Sequence, residues 1–313
     1  MTCPFLKEAQ VKYCQTATVR KLIPLAQTGR ADEKCASSAH ATCPVYRMQP
    51  QGDASGPCPH LRESLMQYCG AAPVTKFVPY SESLISRCGN DGFRYCELYL
   101  AMAHPMAHSG AGEEVDGIPL PGWLQYSANH MWLDVTDDGT CHAGIDGFLS
   151  RVLGKVDRIS YVRLSGRMRP SAVLSIAGTD LEVVFPNSFL LTKCNVYLRA
   201  DPSPITADPY TAGWLFEGVP GPDTTKDLLR GPAVREWMED EERRMNQTLQ
   251  EQGDREQGDR EQGDREQGDR PQSLCRCDGG LFAEGVARKL DRDQMLSLFH
   301  EFFSPYASGK KEL

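Results

Sequence analysis

A duplicated four-cysteine pattern constrains the first third of this 313-residue chain more than any other feature. A shift of 55 residues, which moves Cys3 onto Cys58, aligns residues 3–24 with residues 58–79 without a gap. Further along, the shift becomes 53, and the second pair of cysteines in each copy also coincides. Repeats of this kind are usually structural units. The two sets are Cys3, Cys14, Cys35 and Cys43 in the first copy and Cys58, Cys69, Cys88 and Cys96 in the second.

The spacing within each copy predicts a small helical module over residues 1–104. A helix beginning at Pro4 would place Cys3 and Cys14 on one face, about three turns apart. The chain reversal at Pro24 would then bring the second pair of cysteines onto the first. Four converging thiolates suit zinc or an iron–sulfur cluster, so we predict that all eight cysteines are metal ligands. Buried thiols and disulfides are the alternatives.

Composition excludes several classes of function. The net charge of −8 lacks the basic face that nucleic-acid binding requires. No apolar run reaches the roughly 18–20 residues that span a bilayer. The start, MTCPFLKEAQ, has no basic or apolar leader. We therefore expect a cytoplasmic protein that binds neither nucleic acid nor membrane, in which twelve cysteines favour metal over disulfides.

The rest of the chain divides by composition. Residues 105–122 are rich in Gly and Pro and are interpreted as a linker. Residues 123–220 hold short alternating apolar runs, which predict an antiparallel β module. Residues 221–280 hold a charged, solvated helix and four EQGDR copies, which have no apolar residue and predict a disordered spacer. Residues 281–313 regain helical apolar spacing and predict an amphipathic helix packed on its own protein.

The β module contains six short motifs, of which the last is the most specific. They are His130-x-Trp132-Leu133, Asp138-Gly139, Gly144-Ile145-Asp146, Leu153-Gly154-Lys155-Val156, Tyr161-Val162-x-Leu164 and Asp208-Pro209-Tyr210-x-x-Gly213-Trp214-Leu215. Together these motifs cover about a third of the chain and resemble the glycine cleavage system H protein family. The resemblance implies a lipoyl-like barrel-sandwich hybrid, so the predicted fold class is α+β.

The resemblance also identifies a missing residue. In this family a β-turn presents a lysine that carries lipoate on a swinging arm between partner enzymes. Counting back from Pro186, Gly178 occupies that position, and no lysine lies between Lys155 and Lys193. We therefore expect no lipoate and no cofactor-binding residue in this module.

Three hypotheses about function follow, and none makes the chain an enzyme. The first is a non-lipoylated binding or scaffold adaptor with a metal-stabilised cysteine module and a lipoyl-dependent or redox enzyme as its protein partner. The second is an iron–sulfur redox or sulfur-handling component. The third, which rests on the family alone, is an H protein of the glycine cleavage system. Cys275 and Cys277 could add soft metal ligands or a redox pair to any of them.

Overall fold

The protein is described by a computed structural model that covers residues 2–16, 23–24, 34–50, 52, 55–74, 76–78, 87–102, 113–261 and 282–305. The chain divides into two compact units, Met1–Met102 and Ala103–Leu313.

The described part of the first unit is a β-sheet with short helices. Its strands lie in the order β2-β1-β3-β4. They are β1 (Leu6–Cys14), β2 (Ile23–Pro24), β3 (Leu61–Cys69) and β4 (Lys76–Val78). Short 3₁₀ and α segments follow β2 and β4: Ser38–Thr42, α1 (Pro44–Met48), Arg87–Gly89, Asp91–Tyr95 and α2 (Glu97–Met102).

The helix predicted between Cys3 and Cys14 is wrong, because that segment is strand β1. β1 pairs antiparallel with β3, which is the same segment of the second copy, and Gln10 faces Leu65, its own equivalent. The pairing satisfies the backbone of both copies at once, which neither copy achieves alone. Tertiary pairing of this kind overrides the modest helix propensity of a Lys-Glu-Ala-Gln sequence.

The second unit is mainly antiparallel sheet, as expected for residues 123–220. One sheet has the order β10-β12-β13 and the other β11-β14-β15-β9-β8-β7. The strands of these sheets are β7 (Gln125–Tyr126), β8 (Met131–Val135), β9 (Cys141–Ile145), β10 (Arg158–Tyr161), β11 (Gly166–Met168), β12 (Ser171–Ile176), β13 (Thr179–Val184), β14 (Phe189–Cys194) and β15 (Phe216–Val219). The helices α3 (Gly147–Leu153) and α4 (Pro204–Ala207) connect strands of this unit. Trp132, Trp214 and Phe216 are fully buried in its core.

The interpretation of residues 105–122 as a linker is wrong for their second half. Strands β5 (Glu113–Val115) and β6 (Ile118–Leu120) form a hairpin. Val115, Ile118 and Leu120 are buried, whereas Pro119 faces out. The alternation of apolar residues favours strands here, despite the nearby Gly and Pro residues. Asp116 and Gly117, both of which have positive φ, form the hairpin turn. Residues 105–112 lie outside the described part.

The charged helix is longer and less solvated than predicted. Helix α5 (Pro232–Glu261) continues through the first two EQGDR copies, so the prediction of a disordered spacer is wrong there. A narrow stripe of buried apolar residues at helical spacing packs the helix on the core. In the sequence, the residues of this stripe are separated by charged residues, which is why the pattern was missed. The stripe consists of Val234, Met238, Met245 and Leu249. Residues 262–281, which include the remaining copies, lie outside the described part.

The predicted C-terminal helix is confirmed as α6 (Arg292–Phe303). Asp291 caps its first turn in a reciprocal capping box with Gln294. Its apolar face packs on its own unit, as expected, with Met295, Leu298, Phe302 and Phe303 buried. No helix in the described part of the chain is long and apolar enough to cross a membrane.

Candidate functional site

The hairpin β12–β13 presents a tight turn at one end of its sheet. Ile176 pairs with Thr179, so Ala177 and Gly178 are the two central residues of the turn. Both have positive φ, +48° and +82°, as the twist of a two-residue hairpin requires. A Cβ added at Gly178 would meet no atom within 4 Å, so the tip faces open space.

Two charged groups fix this turn from below. The Ala177 N–H donates to Asp157 Oδ2 at 2.8 Å, and Arg288 Nη1 lies 3.1 Å from the same oxygen. The N–H of Ala177 and then the Arg288 guanidinium hold the pKa of Asp157 below its usual value. Arg158 and Asp180 flank the tip, with Arg158 Nη2 3.8 Å from Asp180 Oδ1. The turn is therefore braced rather than loose.

The Asp208–Leu215 motif ties the sheet to the hairpin β5–β6. Tyr210 Oη donates to the Pro119 carbonyl and accepts from the Gly147 N–H, both at 2.7 Å. Trp132 Nε1 donates to the Pro209 carbonyl at 3.0 Å. A Cβ at Gly213 would come within 2.4 Å of the Pro204 carbonyl oxygen, so only glycine fits. In this chain the motif therefore has a structural role.

His130 occupies a buried polar cluster that our sequence analysis missed. Its Nδ1 lies 2.8 Å from Asp146 Oδ2, and its Nε2 lies 3.5 Å from Glu241 Oε2. The ring is sandwiched between Phe148 at 4.2 Å and Trp237 at 4.8 Å between ring centroids. His130 was identified only as part of a motif, and nothing in the sequence links it to Glu241, more than a hundred residues away.

The charged neighbours of His130 determine the direction in which its pKa shifts. Burial lowers the pKa of His130, but the carboxylates of Asp146 and Glu241 outweigh burial and raise it above its usual value. Arg244 Nη2 lies 2.9 Å from Glu241 Oε2, and its guanidinium carbon lies 4.0 Å from the Phe302 ring centroid. The cluster joins α5 and α6 to the sheet. Because His130 is fully buried, the cluster offers no access for a substrate.

In the first unit, the cysteines approach each other across the two copies. The Cys3 N–H donates to the Cys88 carbonyl at 2.8 Å. The equivalent bond, from the Cys58 N–H to the Cys35 carbonyl, has the same length. Each bond joins the first cysteine of one copy to the third cysteine of the other copy.

The thiols themselves carry no disulfide. The ten cysteines among the described residues are unbridged, and Cys3 and Cys58 are buried. Burial, and after it the neighbouring thiols of Cys88 and Cys96, raises the pKa of Cys3. No group of three or more His, Cys, Asp or Glu residues in the described ranges is arranged to hold a metal ion. Cys275 and Cys277 lie outside those ranges.

Known proteins resemble about a third of the chain. Over 104 residues it is 31% identical to the glycine cleavage system H protein of Psychrobacter cryohalolentis, which covers 32% of this chain and 82% of that protein. The chain belongs to the glycine cleavage system H protein family. The H protein of Neisseria meningitidis serogroup B is 27% identical over 113 residues, or 35% of this chain and 88% of that protein.

One solved H protein structure also resembles this part of the chain. The crystal structure of a glycine cleavage system H protein from Mycobacterium marinum matches 36% of this chain and 94% of its own chain, with 25% identity and a TM-score of 0.33. No family model matches the chain. These H protein relatives therefore match about a third of the residues of this chain.

Membership in the H protein family gives the β12–β13 turn its significance. From the sequence, the lipoyl lysine of the family is predicted to fall at this turn, where the chain has Gly178. The two lysines that bracket the hairpin in sequence lie elsewhere. Lys155 follows α3, and Lys193, on β14, has its Nζ 5.4 Å from the centroid of the Trp214 ring.

Proposed function

We propose that this member of the H protein family carries no lipoate and acts as a binding adaptor. One observation carries the proposal: the turn where the family bears its lysine is Ala177-Gly178, and no lysine occurs between Lys155 and Lys193. A swinging arm needs an amine to form its amide bond, and the turn supplies only backbone and a methyl group. The module keeps the framework of the family without its chemistry.

The braced tip supports a role in binding a protein partner. Arg158 and Asp180 have 68% and 58% of their side chains exposed, and they flank a turn that Asp157 and Arg288 hold in place. A fixed pair of opposite charges around a rigid turn favours recognition by complementary charges. Since H proteins interact with enzymes, we propose a lipoyl-dependent or redox enzyme as the partner.

The absence of lipoate can be tested by intact-mass spectrometry. We expect the full-length protein, co-expressed with a lipoate ligase and supplied with lipoate, to show no lipoyl increment. A lipoyl-accepting H protein in the same cells controls for ligase activity. Gly178→Lys is the matched variant: the open space leaves room for the side chain, and the positive φ makes the substitution somewhat strained without blocking it. We expect this variant to gain one increment, whereas modification of a wild-type lysine would contradict the proposal.

Binding can be tested with purified lipoyl-dependent enzymes of the glycine cleavage system immobilised on a sensor. We expect saturable binding that Arg158→Glu weakens about tenfold, since it places a second negative charge beside Asp180. Arg235→Glu, on the exposed face of α5, is the matched control and should bind like the wild type. Equal binding by both variants would exclude the tip as the contact surface.

The approach of cysteines in the first unit favours a second candidate function. A metal-stabilised module agrees with an adaptor, but iron–sulfur clusters would make the protein a redox or sulfur-handling component. Anaerobically purified protein should distinguish the two functions. Colourless protein with stoichiometric zinc supports the adaptor. Protein that absorbs at about 400 nm and contains iron and sulfide supports the redox component.

A further inference from the structure

We infer that the eight cysteines of the first unit form two four-thiol metal sites that are exchanged between the repeat copies. One site consists of Cys3 with Cys69, Cys88 and Cys96, and the other of Cys58 with Cys14, Cys35 and Cys43. The ligand is a thiophilic metal centre, zinc or an iron–sulfur cluster. This inference rests on the metal-binding part of the proposed function and changes which cysteines share a metal.

The backbone hydrogen bonds of Cys3 and Cys58 give the first step. A direct bond between two backbones brings their Cα atoms to within about 5–6 Å, a separation from which two thiols can reach one metal. Cys3 makes this bond with Cys88 of the second copy, and Cys58 makes it with Cys35 of the first copy. In both cases the partner belongs to the other copy.

The pairing of β1 with β3 adds the second cysteine of each set. Cys69 pairs with Leu6, and the next residue, Gly70, donates its N–H to the Phe5 carbonyl at 2.7 Å. Cys69 thus lies at the end of β3 that adjoins the Cys3 segment. The same register pairs Cys14 with Leu61, at the end of β1 that adjoins Cys58.

The fourth cysteine of each set is positioned by aromatic packing. Tyr99, three residues after Cys96, packs edge-on against Phe5 with 5.9 Å between ring centroids. Its counterpart Tyr46, three residues after Cys43, contacts His60 at 6.0 Å. His60 is also held by a 2.7 Å hydrogen bond between its Nε2 and the Gln49 carbonyl. The α1 and α2 segments therefore each pack beside the first cysteine of the other copy.

The two-fold relation between the copies makes both sites equivalent. The backbone bond of the first cysteine, the strand register and the tyrosine contact each occur in both copies, so one arrangement specifies two sites. Binding requires the cysteine side chains to turn toward a common centre, because no three of them share a metal position in the structure as described. Metal binding must therefore shift these side chains to other staggered rotamers.

Two double variants distinguish exchanged sites from sites within one copy. If the sites are exchanged, Cys3→Ser with Cys88→Ser damages one site, and the full-length protein should keep half of the wild-type metal content. Cys3→Ser with Cys35→Ser damages both sites and should lose at least nine-tenths of the metal. The two variants carry the same number of substitutions, so each controls for the other. Metal and sulfide are measured after anaerobic purification, with zinc or iron supplied during expression.

The reverse result, with half of the metal kept in the Cys3/Cys35 variant and almost all lost in the Cys3/Cys88 variant, would overturn the exchange. It would leave the metal module of the proposed function intact. A wild-type protein without metal would instead overturn the metal sites themselves.

A short thiol–thiol cross-linker, followed by peptide mapping, tests the pairing without reference to metal. Exchange predicts links from Cys3 to Cys88 or Cys96 and from Cys58 to Cys35 or Cys43. Links from Cys3 to Cys35 would overturn it. Because this measurement uses the wild-type chain, it still tests the exchange if either double variant fails to fold.

Discussion

At the scale of single residues, α5 is held by ionisable groups in the core. Glu242 is only 4% exposed, and burial together with a hydrogen bond to Asp116 raises its pKa to about 8. Burial between Phe148 and Trp237 lowers the pKa of His130, but the carboxylates of Asp146 and Glu241 outweigh burial and raise it above its usual value. Both residues bind protons more tightly in the folded protein than in the unfolded chain. At these two positions, lowering the pH from about 8 towards 5 should therefore add to the stability of the second unit.

Glu242→Gln should remove much of this pH dependence. The wild-type free energy of unfolding should fall as pH rises from about 4.5 towards 8, because the unfolded chain releases the Glu242 proton first. A pKa that rises from 4.5 to about 8 corresponds to a full loss of roughly 5 kcal/mol, and the variant should lack it. The contribution of His130 to the free energy of unfolding is fully present at every pH below 6.5. The interval from pH 5 to 6.5 is therefore the cleanest range in which to compare the variant with the wild type.

Urea unfolding followed by tryptophan fluorescence measures this effect in the second unit, since all four tryptophans lie there. Glu236, an exposed glutamate on the same helix, provides the matched control Glu236→Gln, whose free energy of unfolding should vary with pH as in the wild type. If the free energy of unfolding of Glu242→Gln also varied with pH as in the wild type, the pKa of Glu242 would not be shifted.

At the same scale, motif residues could be predicted and their partners could not. The turn at Gly178 was predicted from the resemblance to the H protein family, by counting back from Pro186. Its Ala177-Gly178 pair is suited to a two-residue hairpin. The roles of Tyr210 and His130 depend on Pro119 and Glu241, which are distant in sequence. Distances of that kind follow from the packing of whole elements, which the local sequence does not encode.

At the scale of elements, β1 shows why a periodic pattern can mislead. The separation of eleven positions from Cys3 to Cys14 fits one helix face, yet Leu6–Cys14 is a strand. The burial of Val11 and its position opposite Ser64 come from the second copy. The repeat itself was the better signal, since two copies of an extended segment can pair about a two-fold axis.

The α5 extension into the EQGDR copies should contribute little stability. Deleting residues 256–270 leaves the buried stripe that ends at Leu249 and keeps residues 271–281 as a connector of up to roughly 35 Å. Loop-closure cost varies by only about 0.6 kcal/mol per doubling of length, so the midpoint of thermal unfolding should change little.

Met245→Ala is the contrasting variant, because Met245 is fully buried in the stripe. It should cost about 2–4 kcal/mol of unfolding free energy, measured by the same tryptophan fluorescence. A deletion as costly as Met245→Ala would mean that the repeats make contacts essential to the fold.

At the scale of the whole molecule, the two units differ in what holds them together. The second unit has a continuous apolar core with Trp132, Trp214 and Phe148 fully buried. In the described part of the first unit, the buried hydrophobic residues are Cys3, Val11, Tyr46, Cys58, Phe93, Tyr95 and Tyr99. The H protein motifs predicted the larger core, but the metal dependence of the smaller one follows from cysteine chemistry and remains a prediction.

Metal removal should therefore destabilise the first unit alone. Binding at a structural four-thiol site contributes on the order of 10 kcal/mol to folding, far more than the roughly 1–2 kcal/mol typical of a single substitution. Cys14→Ser, Cys69→Ser and treatment with a chelator should each abolish hydrogen-exchange protection in β1 and β3. Strands β12 and β13 of the second unit serve as the internal control, and their amides should keep wild-type protection.

Because β1 and β3 pair with each other, losing either site should expose both strands together. Protection lost only in the copy that carries the substitution would point to independent copies. If the variants and the chelated and air-exposed proteins all keep native protection across the described residues of the first unit, the cysteines are ordinary buried thiols. The small core must then be sufficient for folding.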